Sequence, residues 1–191
     1  MTQLTVLPKD PNHEFVKVMA HATVEKRTDE YDRLVDSLVA DGIGLSEAHE
    51  HAKAKIAPYE IVEGDYNALV DVGIILLLDA MIGTAITAFS NANARLGVGD
   101  SATAWGTGQT DLQAGANKLR KAMNATYPLG TGTKTITFRS DFTTGEANWV
   151  WNEWAIFNAA SGATSMLNRK VENLGTKASG TWTLTVTFTL T

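Results

Sequence analysis

The last ten residues, 182–191, alternate apolar residue and threonine without a break. Trp182, Leu184, Val186, Phe188 and Leu190 fall on one side of a period of two, and Thr183, Thr185, Thr187, Thr189 and Thr191 on the other. A helix would scatter these residues around its axis, whereas a strand separates them onto two faces. The stretch therefore predicts a half-buried β-strand with a threonine outer surface. It carries no charge, so as a free edge it would invite aggregation, and pairing within a sheet or an assembly is expected to cover it.

Upstream segments extend the β reading. Ile136, Phe138 and Phe142 alternate, with Thr131–Thr133 and the flanking glycines as the preceding turn. Trp149, Trp151, Ala155 and Phe157 share one face of a further strand, and Val150, Trp154 and Ile156 the other. Apolar on both faces, that strand is expected to be central or to pack against a partner chain. Residues 95–98 and 167–171 predict shorter strands, while 112–125 fit helix or strand equally. Successive strands with Gly, Thr and Asn turns predict an antiparallel sandwich.

The first part of the chain follows a different period. Tyr31, Leu34, Val35, Leu38 and Val39 form one helical stripe, with Thr28 as N-cap and Gly42 as stop. Ser46 is read as the cap of a second helix running to about Ile56, and Asp65 of a third reaching Ile82. The run at residues 72–78, Val-Gly-Ile-Ile-Leu-Leu-Leu, is far short of the roughly 20 residues that span a bilayer. It predicts a buried helix segment. Before Thr28 no period is firm, and Pro8 and Pro11 favour extended chain.

Charge divides in the same place. Residues 1–80 hold 7 basic and 15 acidic residues, whereas 81–191 hold 9 basic and 6 acidic. The expected organisation is α+β: an extended N-terminal arm over 1–27, an acidic helical region over 28–83, and an antiparallel β-sandwich domain over 84–191. A net charge of −5 argues against a nucleic-acid partner, which requires a basic footprint. No basic segment followed by an apolar run opens the chain, so no signal peptide is expected.

Motifs for chemistry are weak. The chain has no cysteine, which excludes disulfides and thiolate sites. His49-Glu50-His51 places its imidazoles two residues apart, unlike the helical pattern that puts two ligands on one face, and a solvated helix surface is the expectation. No Gly-x-Ser-x-Gly elbow, EF-hand spacing or phosphate loop is present, and Gly97, Gly99, Gly106 and Gly108 read as turn residues. No cofactor, no metal and no enzymatic activity are expected. Trp149, Trp151, Trp154, Trp182 and Phe188 are the candidate interface residues, each indole needing a core or a subunit contact. A carbohydrate platform, with Trp105 as its probe, is the alternative use of exposed indole.

Several strings, in order, carry a resemblance: Leu96-Gly-Val-Gly-Asp100, Gln109-Thr-Asp-Leu112, Glu146-Ala-Asn148, Asn152-Glu-Trp-Ala-Ile-Phe157, Met166-Leu-Asn-Arg169 and Gly175-Thr-Lys177. Together with the final strand they resemble β-domains of tailed-bacteriophage structural proteins, including tail-collar-fibre-like modules, over about residues 94–191. The resemblance implies a trimeric or otherwise symmetric β-domain that projects from a virion and carries no catalytic residues. The expected partners are copies of the chain itself and either the major capsid protein or tail proteins, with the virion as location, head surface before tail. Glu153 and Arg169 are expected either to pair across neighbouring strands or to be two solvated charges. Lys177 is read as a turn residue.

Overall fold

The computed structural model describes residues 18–64, 68–130 and 132–190. Eight strands and three helices follow in the order β1 (Val18–Lys26), α1 (Asp29–Ala40), α2 (Leu45–Lys55), β2 (Glu60–Glu63), α3 (Asp71–Met81), β3 (Arg95–Gly99), β4 (Lys118–Ala122), β5 (Thr135–Phe142), β6 (Val150–Phe157), β7 (Met166–Thr176) and β8 (Trp182–Leu190). They build two four-stranded antiparallel sheets, ordered β2-β1-β8-β5 and β4-β3-β6-β7. The fold is α+β, with a sandwich of sheets and helices on its outside.

β8 obeys its period. Trp182, Leu184, Val186 and Phe188 enter the space between the sheets, while Leu190 at the end is 39% exposed. Thr183 on the opposite face is nonetheless fully buried, because it hydrogen-bonds Asp141 at 2.7 Å beneath charged side chains of the outer surface.

The strand paired with β8 is a correction to the expected arm over 1–27. Residues 18–26 form β1, in register with β8 from Val18 opposite Leu190 to Lys26 opposite Trp182. The inward residues are the small Ala20, Ala22 and Val24, a weak hydrophobic signal. The arm's residues 1–17 lie outside the described residues. The helical region 28–83 is likewise not a separate unit, since β2 lies within it and completes the edge of the first sheet.

α1 begins after Thr28 as expected and turns off at Gly42, whose φ of 89° suits glycine. α2 starts two residues earlier than read, with Gly44 rather than Ser46 at its N-cap. The two helices pack on each other through Tyr31, Val35, Ala48 and Ala52. α3 begins at Asp71 with Val70 as its N-cap, and Asp65, the expected cap, lies outside the described residues. The Thr131 end of the expected turn and Thr191 lie outside them as well.

The core between the sheets is aromatic. Phe142 meets Trp151 edge-on at 4.8 Å between ring centres, and Trp151 meets Trp182 at 5.0 Å. Lys26 places its ammonium 4.5 Å from the Trp182 ring. The expected face assignment is corrected for Trp149 and Trp151, which both meet the inter-sheet core. Trp151 joins Trp154 and Ile156 in this core, and Ala155 and Phe157 occupy a second cluster with Val70, Leu112 and Met166. The pairing with β7 slips between Trp151 and Glu153, so alternation does not carry across that point.

Candidate functional site

Four of the six strings that carried the resemblance contribute to one internal clamp, through Gly99, Gln109, Glu153 and Arg169. Glu153 on β6 and Arg169 on β7 are fully buried, with the Arg169 Nε 2.6 Å from the Glu153 Oε2. The Glu153 carboxylate also accepts the backbone N–H groups of Gln113 at 2.9 Å and Ala114 at 2.7 Å. The guanidinium spends its remaining arms on the Gln109 side-chain oxygen and the Thr103 carbonyl, each at 3.0 Å. Gly99 is glycine for this reason, since a Cβ there would run into the carboxylate. The pair rivets the connection between β3 and β4 to the second sheet, and its donors and acceptors are consumed in doing so.

A second polar cluster supports the same connection. Asp111 bonds Arg120 at 2.8 Å and Lys118 at 2.9 Å. Burial opposes its ionisation, yet these two cations outweigh that and hold its carboxyl below the ordinary range. Lys177, read as a turn residue, lies in the connection between β7 and β8 and is fully buried there. Its ammonium donates to the Thr143 carbonyl at 2.8 Å and the Asn148 side-chain oxygen at 2.7 Å. Burial pushes its pKa down to about 8.

A cleft of about 620 Å3 lies between α2 and the β4–β5 connection. Its charged walls are paired: Lys53 with Glu50 at 2.9 Å, Lys121 with Glu146 at 2.6 Å, and Arg139 with Glu25 at 3.6 Å. His49, one of its lining residues, sits 2.9 Å from the Tyr31 hydroxyl, and burial lowers its pKa and raises that of Tyr31. His51 faces Glu47 at 3.9 Å instead. His49 and His51 thus point to different partners, and no group of His, Asp and Glu spaced to hold a metal occurs among the described residues.

The interface candidates are placed as follows. Trp151, Trp154 and Trp182 have 1% exposure or less, and Phe188 has 4%. They are core residues of a single chain, the first of the two placements expected of them, and as interface candidates they are corrected. Trp149 is half-buried against the same core. Trp105, in contrast, is 40% exposed on the connection held by the Arg169 clamp.

Among the described residues, a row of uncovered apolar side chains lies on α3. Ile74 and Ile75 are 44% and 55% exposed, Leu78 54%, Met81 81% and Ile82 79%. The reading of residues 72–78 as a buried segment is therefore corrected for one face. Gly73 explains how the other face docks: its backbone lies against the Leu167 carbonyl of β7, where a Cβ would collide. Leu76 and Leu77 fill the seam beneath, and Ile74, Ile75, Leu78, Met81 and Ile82 are left outward. No sequence period flagged this face, because the run is apolar all round. Among the described residues no helix is long and apolar enough to cross a membrane.

Compared with protein-family models, with curated proteins and with solved structures, the chain matches none.

Proposed function

We propose that the chain is a non-enzymatic structural protein of a tailed-bacteriophage virion, a decoration or cement protein of the head present in many symmetric copies. The sequence resemblance over residues 94–191 supports the phage origin. The observation that carries an assembly role is the row of five exposed apolar side chains on α3, beside a polar interior occupied with holding the fold together. Exposed apolar surface of this kind marks contact with another macromolecule. Docking on the capsid is assigned to the chain before Val18, because residues 18–26 belong to the sandwich.

The second reading is a tail-fibre or baseplate-proximal adaptor, which the tail-collar-fibre-like character of the resemblance favours. A third, a carbohydrate-binding module, rests on the exposed Trp105 ring on its clamped connection. Quantitative mass spectrometry of purified particles separates the first two. Copies on the order of the major capsid protein support head decoration, and copies far below it support the tail. Absence from the particle overturns both. Glycan-array binding lost on Trp105→Ala supports the third.

A further inference from the structure

We infer that α3 is the seam of a homodimer, pairing antiparallel with α3 of a second copy of this chain across a two-fold axis at Leu78. This deepens the assembly reading above and rests on it for its purpose in the particle, but it concerns purified protein and is tested without a virion.

The argument starts from the spacing of the exposed residues. On a helix, positions 74, 75, 78, 81 and 82 fall on one face. An antiparallel two-fold centred on Leu78 sets Leu78 against itself, Ile74 against Ile82 and Ile75 against Met81. Every exposed apolar side chain of α3 thereby meets an apolar partner. A two-fold interface demands this property: the same patch must complement itself after reversal. The spacing about Leu78 has that symmetry.

Charge selects antiparallel over parallel. Asp71 opens α3, and the five outward side chains from Ile74 to Ile82 are uncharged, with the partly exposed Asp79 at the margin of their face. Parallel copies about a three-fold axis, the symmetry the resemblance implies, would gather the Asp71 carboxylates and align the helix dipoles. Antiparallel copies set the two Asp71 residues at opposite ends of a helix of roughly 16 Å and oppose the dipoles.

Area is sufficient. The five side chains present on the order of 500 Å2 of apolar surface, the top of what a monomer ordinarily leaves uncovered. A groove of about 420 Å3 borders the face beyond Ile75 and Leu76, lined by Ile86 and by the polar Asp79, Asn158 and Ser161. Two such surfaces together come to about 1,000 Å2, the low end for a specific interface. The seam is also rigidly mounted, because Gly73 seats the helix backbone directly on β7. Little ordering cost then opposes association.

Sedimentation equilibrium and light scattering on the purified full chain test the pairing. Wild type is expected at twice the 20.5 kDa chain mass. Leu78→Arg is expected to be monomeric, its dissociation constant raised at least tenfold with an unchanged far-ultraviolet spectrum. Leu45→Arg, on the equally exposed surface of α2, is expected to stay dimeric. Ile74→Lys and Ile82→Glu should each weaken the dimer, and the double variant should recover most of the loss, because the two positions face each other across the seam.

A trimer, an undiminished dimer in Leu78→Arg, or a double variant no better than its weaker parent would overturn the pairing. So would a monomeric wild type. In that monomer a lowered melting temperature for Leu78→Arg would assign the face to residues 1–17 of the same chain, and an unchanged one to a different protein. Particle copy number is unaffected by these results, so failure here is distinct from failure of the virion reading.

Discussion

β6 and α3 are both strongly apolar, and the fold treats them in opposite ways. In β6, residues Glu153 to Phe157 are entirely buried, because one face meets the opposite sheet and the other meets Leu112, Val70 and Met166. α3 has a covered side and a side open to solvent. A strand in the middle of a sandwich is closed on both faces by neighbours of its own chain. A helix laid along the sheet edge has only one neighbour, and whatever is apolar on its far side awaits a second body. Apolar content alone therefore does not separate interior from interface; the number of covered faces does.

The comparison breaks most severely where the sandwich is held from within. Arg169→Ala leaves the Glu153 carboxylate buried without its partner and is expected to cost about 3–5 kcal/mol, read by denaturant unfolding. Trp151→Ala removes the ring between Phe142 and Trp182 and is expected to cost a similar roughly 3–5 kcal/mol. An unfolding midpoint that either substitution leaves in place would contradict the burial described.

Gly73→Ala sharpens the contrast from the other side. The added methyl group forces α3 away from Leu167, at about 1–3 kcal/mol, while the sandwich remains. Proteolytic cleavage within residues 71–82 ahead of the rest is the expected signature, and uniform resistance would contradict it.

Titration of Lys177 gives a smaller effect. Its pKa is about 8 when folded and 10.5 as the ordinary value, so between those values the unfolded chain binds more protons. Stability is therefore expected to rise from about pH 8 to pH 10. Lys177→Met should flatten that rise. His49 acts in the acid range: its pKa is lowered by burial, so the stability it lends is present above its ordinary 6.5 and is lost as pH falls through its folded value. His49→Gln should lessen the acid loss measured by thermal unfolding against pH.

The sequence made some of this legible. β8 showed its two faces because ten residues alternate without exception, and α1 because its stripe is clean and its start carries acidic residues. β1 stayed hidden, as Ala20 and Ala22 bury little apolar area and the prolines upstream suggested extended chain. The indoles of β6 left a central strand and a partner chain both open, and residues 72–78 suggested a buried helix, because a strand or helix apolar all round does not say what covers it. That depends on Gly73 against Leu167 and on the slip between Trp151 and Glu153, which are contacts distant in sequence. Glu153 and Arg169 were visible as a pair, but the four further partners that fix their role come from a connection whose shape no local pattern encodes.

The account turns on α3 as the surface by which one copy meets another. Because the chain has no cysteine, a single engineered one reports on its own position alone. Leu78→Cys, oxidised in dilute solution and run on a non-reducing gel, is expected to cross-link to itself rapidly and near completion, whereas Leu45→Cys stays a single chain. Equal, slow cross-linking at the two positions would show that α3 does not meet its own copy.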